Sequence, residues 1–455
     1  MRESLFRAAQ QGEWHTTEER VGQRQSPRRT REVWEGSWQR LEPLQPSGPP
    51  PDGAVVAWLY PRRTAAIIDR ANCADRFLRA DPQYRVVTEH FLDGDESPLS
   101  NREEKLLLFC PFDAAMDRLT CTEQGQLAVH GRRIDVVASE MTVGYLARAG
   151  HTPHPARPQE GTLAPRLDGF RTRFVNGTGI TLLKAAQLAL GAREHEALSR
   201  LGVAVPDFAL AWTREEIREA VLPWLADRQG VVLRPFAASR GAGVTFLGPN
   251  DVLPRAQAID RAVDELEHSV LRAYGQTAPY PVTVSPFVES MKLDGRVCDL
   301  RMFVTADPET SGLRALPGMV RTASQPFSIR GEFDAAMCSS SFSGTADHQA
   351  RAGLQSLPLT APHVQAALRL TGEDLVRLGQ AASLLWAAAV ADARQRSDGP
   401  VPFAYGSVDF LLTDDGRAWP IEMNGANVGA HSCVHPLFVD AFPIAMCAAL
   451  KDCGF

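Results

Sequence analysis

The sequence predicts a mixed α/β (α+β) protein with more than one domain. From residue 54 onward, short apolar runs alternate with longer stretches of helical periodicity, which is the pattern of strands and helices in one chain. Near the end of the chain, two apolar runs flank a tight turn and predict a hairpin. Because 455 residues exceed what one compact core holds, we expect two or three domains.

The composition narrows the function classes. The 48 Lys and Arg against 54 Asp and Glu give a net charge of −6, which argues against nucleic acid as the main partner. No apolar run reaches the roughly 18 residues of a membrane helix, and the polar start lacks the pattern of a signal peptide, so we expect a cytoplasmic protein with no membrane partner. The 8 cysteines contain no C-x-x-C pair and predict reduced, buried thiols. The sequence leaves open whether the protein forms a homodimer.

Residues 1–53 form an N-terminal extension that ends in a proline-rich linker. Charged residues dominate the extension and aliphatic residues are few, which is typical of a disordered tail. Trp14, Trp34 and Trp38 are unusual in such a tail, so docking of the extension onto the body or onto a partner is the alternative.

From residue 54 onward, apolar runs alternate with helical stretches, which predicts an α/β domain over 54–175. Its apolar runs predict buried strands at 54–60, 105–110 and 134–137. A helix is predicted over 64–79, between the first two strands. The prolines between 151 and 165 predict a loop at the boundary to the next domain.

The rest of the chain predicts further helices and strands. Helices are predicted over 181–201, 213–225, 256–274, 372–394 and 436–450. Strands are predicted over 231–233, 244–247, 282–288, 300–305, 319–321, 406–412 and 417–423. The first of these helices stops at Gly202, because glycine commonly follows the end of a helix.

The last predicted hairpin carries the strongest chemical signal. Asp409 lies on its first strand, Glu422 and Asn424 lie on its second, and pairing of the strands brings the three onto one face. Two carboxylates and an amide oxygen are the hard ligands that Mg²⁺ prefers, and a carboxylate within an apolar strand is costly unless a cation compensates it. The hairpin therefore predicts a Mg²⁺ site of the kind that holds a nucleoside triphosphate.

A glycine-rich turn follows the strand that contains Arg234. The turn includes Ser239, Arg240, Gly241 and Gly243, and its small residues let backbone N–H groups approach phosphate oxygens closely. Such a turn also occurs in ordinary hairpins, and this one lacks the P-loop and Rossmann signatures. Both interpretations stay open at this point.

A third group of charged residues lies on two predicted strands. Asp299 and Arg301 are two residues apart and so share a strand face, and Arg321 lies on a strand that can pair beside them. Inward-pointing charges on apolar strands suit an anionic ligand, whereas a surface ion pair is the alternative.

In combination and in this order, the three segments resemble the ATP-grasp superfamily, in particular its carboxylate–amine and peptide ligases of natural-product type. The resemblance covers roughly residues 175–430. It implies an ATP-grasp domain over 176–455, with a nucleotide lid over about 205–290 and a catalytic and metal-binding part over about 291–455. Residues 54–175 are then the pre-ATP-grasp domain.

The resemblance also implies ATP and two Mg²⁺ as cofactors. Lys184, or alternatively Arg193, would reach the nucleotide from the first helix of the ATP-grasp domain. The other implied contacts are Arg234 and the turn from Ser239 to Gly243 to the phosphates, Phe287 and Val288 to the adenine, Asp299 to the ribose, Arg301 and Arg321 to the γ-phosphate and the intermediate, and Asp409, Glu422 and Asn424 to the metal ions.

The implied reaction joins a carboxylate to an amine. The carboxylate attacks the γ-phosphate of ATP, and the amine then displaces phosphate from the acyl phosphate. Amino acids or peptides are the expected substrates, with Asn427 and His431 near the acceptor. Three alternatives stay open: activation of an enol, a small-molecule kinase, and a non-catalytic ATP-binding regulator.

Overall fold

A computed structural model describes the parts of the chain from which the site is built. The described residues are 53–60, 77–87, 103–111, 118–122, 125–139, 171–175, 184–235, 243–248, 254–274, 279–307, 312–323, 325–326, 356–396, 402–425 and 444–451. The predictions for residues 1–52, for Ser239, Arg240 and Gly241, and for Asn427 and His431 lie outside them. The prediction of a mixed α/β fold is confirmed, since the described residues form several sheets and helices.

The first sheet is parallel and has five strands in the order β2-β3-β1-β7-β8. Its strands are β1 (Val55–Tyr60), β2 (Tyr84–Val87), β3 (Lys105–Pro111), β7 (Val136–Ser139) and β8 (Arg173–Val175). A small antiparallel sheet inserted between β3 and β7 consists of β4 (Leu119–Cys121), β5 (Leu127–Val129) and β6 (Arg132–Arg133). The strand predicted from 134 begins instead at Val136, because the N–H of Ile134 donates to Leu127 in the small sheet.

The second sheet is antiparallel and has four strands in the order β11-β10-β12-β9. Its strands are β9 (Ala209–Ala211), β10 (Val231–Pro235), β11 (Thr245–Leu247) and β12 (Val282–Pro286). Alternate apolar residues of these strands pack against two helices, α3 (Arg214–Ala226) and α4 (Arg255–Tyr274). The opposite face of this sheet contains Arg234 and Thr283, which lie directly opposite each other.

The third sheet is antiparallel, with the strand order β16-β15-β14-β17-β18 and a short sixth strand on β14. Its strands are β13 (Lys292–Leu293), β14 (Arg296–Ala306), β15 (Leu313–Thr322), β16 (Ser356–Pro358), β17 (Tyr405–Leu412) and β18 (Ala418–Asn424). Four helices accompany it: α1 (Lys184–Arg193), α2 (His195–Arg200), α5 (Pro362–Ala367) and α6 (Gly372–Arg396). Leu300, Met302, Val408 and Phe410 share a core with these helices, so strand alternation turns Arg301 and Asp409 to the other face.

The prediction of one helix over 181–201 was wrong in one respect. Within the described residues, α1 ends at Arg193 and α2 begins at His195, and Glu194 between them has a non-helical ψ of 12°. The interruption lets Arg193 pair with both Glu194 and the buried Asp392 of α6. None of the described helices combines the length and apolar character that crossing a membrane requires.

Gly318 provides a test of how closely β14 and β15 approach each other. The pairing of these strands shifts register between Arg301 and Phe303, and a Cβ at Gly318 would lie 1.5 Å from the carbonyl oxygen of Arg301. We therefore expect Gly318→Ala to lower the free energy of unfolding by about 3 kcal/mol, because the strands must separate. Urea denaturation measures the change. Gly372→Ala is the control, since a Cβ there meets nothing within 4 Å; equal stability of the two variants would contradict the strand geometry.

Candidate active site

Four charged side chains meet on the face of the third sheet that lies opposite its core with the helices. Arg301 lies opposite Asp409 in the pairing of β14 with β17, and Asp299 lies opposite Arg321 in the pairing of β14 with β15. Residues that lie directly opposite each other share a face, so the strand register alone brings the four side chains together.

These side chains form a buried hydrogen-bonded network. Arg301 donates from Nε to Asp409 Oδ1 at 2.6 Å and from Nη2 to Oδ2 at 2.7 Å. Arg321 donates from Nε to Asp299 Oδ1 at 2.8 Å and from Nη2 to Asp299 Oδ2 and Asp409 Oδ2, both at 2.7 Å. Both aspartates are 0% exposed, and Arg301 and Arg321 are only 5% and 6% exposed. Buried charges of this kind are tolerated because each is paired and hydrogen-bonded.

The network stabilises the charged forms of its members. Burial by itself raises the pKa of the Asp409 carboxyl, but Arg301 and Arg321 outweigh burial and hold that pKa below its usual value. Burial likewise lowers the pKa of Arg321, whereas Asp299 and Asp409 raise it above the ordinary arginine value. Asp409 and Arg321 are therefore ionised at neutral pH.

Glu422 and Asn424 lie on β18, next to the network. Glu422 is directly opposite Asp409, so the predicted pairing of the two hairpin strands is confirmed. Asn424 donates from Nδ2 to Asp409 Oδ2 at 3.4 Å. This bond does not use the amide oxygen of Asn424, which is an acceptor. Glu422 is half-buried, and the described residues make no hydrogen bond to its carboxylate.

The chemistry of these donors fits Mg²⁺. Mg²⁺ is usually bound by one or two carboxylates together with phosphates and waters, and it needs no all-protein cage. Accordingly, the described residues contain no group of three His, Cys, Asp or Glu side chains that could hold a metal ion, and the third oxygen donor here is an amide. Glu422 and Asn424 offer unused oxygens, whereas Asp409 already accepts three bonds from arginines and one from Asn424.

Arg234 reaches the same place from the second sheet. Its Nη1 donates to the carbonyl oxygen of Ile421 at 3.1 Å, so it lies beside Glu422 on β18. Burial lowers the pKa of Arg234, and the charge of Glu422 offsets part of that effect. Its Nε is buried and has no hydrogen-bond partner among the described residues. A buried cationic donor without a partner is suited to an anionic ligand.

Three other residues predicted to contact the nucleotide, Gly243, Phe287 and Val288, lie within the described residues. Gly243 has a φ of +70°, and a Cβ there would lie 2.6 Å from Pro235 and 2.7 Å from Val270, so the end of the glycine-rich turn packs tightly onto α4. Its N–H donates to Ser269 Oγ at 2.9 Å and is not free for a phosphate oxygen. Phe287 donates its N–H to Gly230 at 2.6 Å, and Val288 follows it, half-buried. Adenine contacts by these two residues stay a prediction.

The two candidates on the first helix of this region differ in their surroundings. Lys184 is the first residue of α1, and its side chain lies outside the described part of the chain. Arg193 donates from Nη1 to Asp392 Oδ1 at 2.7 Å and from Nε to Glu194 at 2.7 Å. Its guanidinium is therefore bound on the α6 side of the sheet, and the contact of Lys184 or Arg193 with the nucleotide stays a prediction.

Sequence reasoning missed one residue at the site, Gln187. Its side chain is buried on α1 and exchanges two hydrogen bonds with the backbone of Met423, the residue between Glu422 and Asn424. The only signal in the sequence is its spacing of three from Lys184, which places both residues on one face of α1.

The arrangement as a whole agrees with the ATP-grasp fold that the motifs predict. An antiparallel sheet backed by two helices contributes Arg234, and a second antiparallel sheet contributes the acidic and arginine residues. The two sheets meet at the bond from Arg234 to Ile421, next to the proposed metal ligands.

The chain is similar at low sequence identity to several solved structures, among them the following three. D-cycloserine synthetase DcsG is 15% identical with a TM-score of 0.42, and the match covers 88% of this chain and 100% of that one. D-alanyl-alanine synthetase A from Vibrio cholerae is 10% identical with a TM-score of 0.44, covering 89% and 98%. A RiPP-associated ATP-grasp ligase from Chryseobacterium gregarium, in complex with ADP and a leader and core peptide, is 12% identical with a TM-score of 0.38, covering 88% and 97%.

No protein-family model matches the sequence, and no curated protein matches it either.

Proposed function

We propose that the chain is an ATP-dependent ligase that activates a carboxylate as an acyl phosphate and joins it to an amine, with release of ADP and phosphate. The observation that carries the proposal is the buried network of Arg301, Arg321, Asp299 and Asp409, with Glu422 at its edge. Phosphoryl and acyl transfer chiefly demand positioned reactants and groups that neutralise developing charge. This network supplies fixed cations and oxygen donors within one cleft.

The charge balance of the site suits a metal–nucleotide complex. Arg234, Arg301 and Arg321 are matched by Asp299, Asp409 and Glu422, so the protein groups are close to neutral together. ATP carries about four negative charges, and two Mg²⁺ oppose about that many. The loaded site therefore stays balanced, which keeps the desolvation cost of binding low.

Each residue then has a defined role. Arg234 binds the phosphates through the nitrogen that has no described partner, and Arg301 and Arg321 face the γ-phosphate and the acyl phosphate. Asp299, whose two oxygens accept bonds from Arg321, orients that guanidinium. Glu422 and Asn424 would hold Mg²⁺, and Asp409 would join them by giving up one of the four hydrogen bonds that it accepts. When bound, Mg²⁺ polarises phosphate oxygens and neutralises their charge.

A protein nucleophile is not part of the proposal. Among the described cysteines, burial raises the pKa of Cys298 to about 12 and that of Cys447 to about 12. A thiol with such a pKa is protonated at neutral pH and is a poor nucleophile. The proposal therefore gives these two thiols no role and has the amine attack the acyl phosphate directly.

The proposed substrates are amino acids or peptides, for both the carboxylate and the amine, in a cytoplasmic enzyme. Asn427 and His431 are proposed to contact the acceptor. This substrate class follows from the resemblance of the motifs to peptide ligases of natural-product type.

Amine-dependent phosphate release tests the proposed reaction. With ATP, Mg²⁺ and a panel of amino acid carboxylates, we expect phosphate release only when an amine acceptor is added, because the acyl phosphate is held in a closed cleft until it is attacked. A coupled phosphate assay measures the rate, and mass spectrometry identifies the amide. A stable phosphorylated product formed without amine would instead indicate a kinase, and no ATP turnover with any pair would favour a non-catalytic ATP-binding regulator.

A further inference from the structure

The strand that contains Glu422 and Asn424 has one edge without a strand neighbour. Within the described sheet, β18 is the last strand after β17. Its outward-facing N–H and C=O groups need other partners, because unpaired buried backbone groups are costly. At the start of the strand the segment 202–204 supplies them: Ala204 donates to Ala418 at 2.8 Å, and Ala418 donates to Gly202 at 3.2 Å.

At the other end of β18, the side chain of Gln187 replaces a neighbouring strand. Its Nε2 donates to the carbonyl oxygen of Met423 at 2.9 Å, and its Oε1 accepts the N–H of Met423 at 2.9 Å. This is the paired donor and acceptor pattern that one backbone residue offers another in a sheet. Gln187 is only 9% exposed, so water does not readily compete for these bonds.

The contact lies between the two side chains whose oxygens are available to a metal ion, those of Glu422 and Asn424. Met423 lies between Glu422 and Asn424, and its own side chain belongs to the core on the opposite face. Because successive side chains of a strand point to opposite faces, fixing the Met423 backbone fixes the direction of both neighbours. On the other side of Glu422, Arg234 of the second sheet donates to the carbonyl oxygen of Ile421.

We propose that Gln187 is a positioning residue that holds the Glu422–Asn424 stretch of β18 in the geometry needed for a divalent cation. The inference rests on the proposed function only in taking Glu422 and Asn424 as metal ligands. Groups that orient metal ligands commonly change metal affinity 10- to 100-fold when they are removed. Gln187 lies in the first turn of α1, which begins at Lys184.

Mn²⁺ binding in the presence of ADP, followed by electron paramagnetic resonance, tests this role on the full chain. Gln187→Leu removes both bonds, and we expect it to raise the Kd for Mn²⁺ about 10- to 100-fold. Gln187→Glu keeps the acceptor for the Met423 N–H but sets a buried, charged oxygen against the Met423 carbonyl, so we expect a rise at least as large. Hydrogen exchange at the Met423 amide should accelerate in Gln187→Leu.

Two further variants separate positioning from general destabilisation. Leu188→Ala removes buried packing from the neighbouring position of α1 and leaves the side chain of Gln187 in place, and Gln380→Leu makes the same exchange at an exposed position of α6. Both should bind Mn²⁺ as the unaltered chain does. Unchanged Mn²⁺ affinity in Gln187→Leu, or an equal loss in Leu188→Ala, would overturn the inference while leaving the proposed ligase activity intact. Mn²⁺ binding by the unaltered chain without amine-dependent phosphate release would overturn the ligase activity alone, and no Mn²⁺ binding at all would overturn both.

Discussion

Glu422→Gln is expected to lower ATP turnover about 1,000-fold, equivalent to roughly 4 kcal/mol of transition-state stabilisation, with a much smaller effect on the stability of the fold. Glu422 is half-buried and makes no hydrogen bond within the described chain, so the amide breaks none there and removes only the charge that offsets part of the burial of Arg234. In the proposed site, however, the change removes an anionic ligand of Mg²⁺. Steady-state ADP release at saturating ATP measures turnover, and urea denaturation measures stability.

The companion variant Asp409→Asn separates a metal role from a structural one. It should lose turnover as fully as Glu422→Gln, but it should also destabilise the chain, because Arg301 and Arg321 lose the negative charge that both of them bind. Asp415→Asn is the matched control: Asp415 lies in the turn of the same hairpin and pairs with the exposed Arg417. Turnover like that of the unaltered chain in both Glu422→Gln and Asp409→Asn would refute the metal assignment.

Arg321→Met is expected to cost about 3 to 5 kcal/mol of unfolding free energy, the largest stability effect we predict. The substitution takes two hydrogen bonds and a positive charge from the fully buried Asp299, and one bond from Asp409. The free-energy cost of leaving a buried carboxylate without its cation exceeds the net stabilisation that the ion pair provided. The midpoint of urea or thermal unfolding measures the loss.

A double variant shows whether the pair also serves the reaction. Combining Arg321→Met with Asp299→Leu replaces the pair by apolar groups, which is often close to neutral for stability. We expect the double variant to regain most of the stability and none of the ATP turnover. Arg417→Met removes an exposed ion pair and should change stability by less than about 1 kcal/mol. Recovery of turnover together with stability would show that Arg321 serves the fold alone.

Much of the fold follows from local pattern. The predicted strands at 54–60, 105–110 and 231–233 and the predicted helix over 256–274 agree with β1, β3, β10 and α4 to within two residues. The break between α1 and α2 was not predicted, because the residue that binds Arg193 at the break, Asp392 of α6, lies far away in the chain. Local periodicity contains no information about such a partner.

The candidate site divides in the same way. A register shift between Asp409 and Phe410 places Glu422 opposite Asp409, whereas unbroken pairing from the turn would place Ile421 there, so only the structure decided this pair. The turn at Asp414, Asp415 and Gly416 by itself determines the hairpin and the pairing next to the turn. Alternation along a strand likewise determines that Asp299 and Arg301 share a face.

Only the tertiary structure decided which charges pair and what holds the edge strand. Arg301 binds Asp409 across 108 residues of chain, and Gln187 binds Met423 across 236. Whether Asp299 faces a ligand or Arg321 depends on which strand lies beside β14, and whether Glu422 and Asn424 are held in place depends on how α1 packs against β18. Both are settled by long-range strand order and helix packing, for which a single sequence contains no local signal.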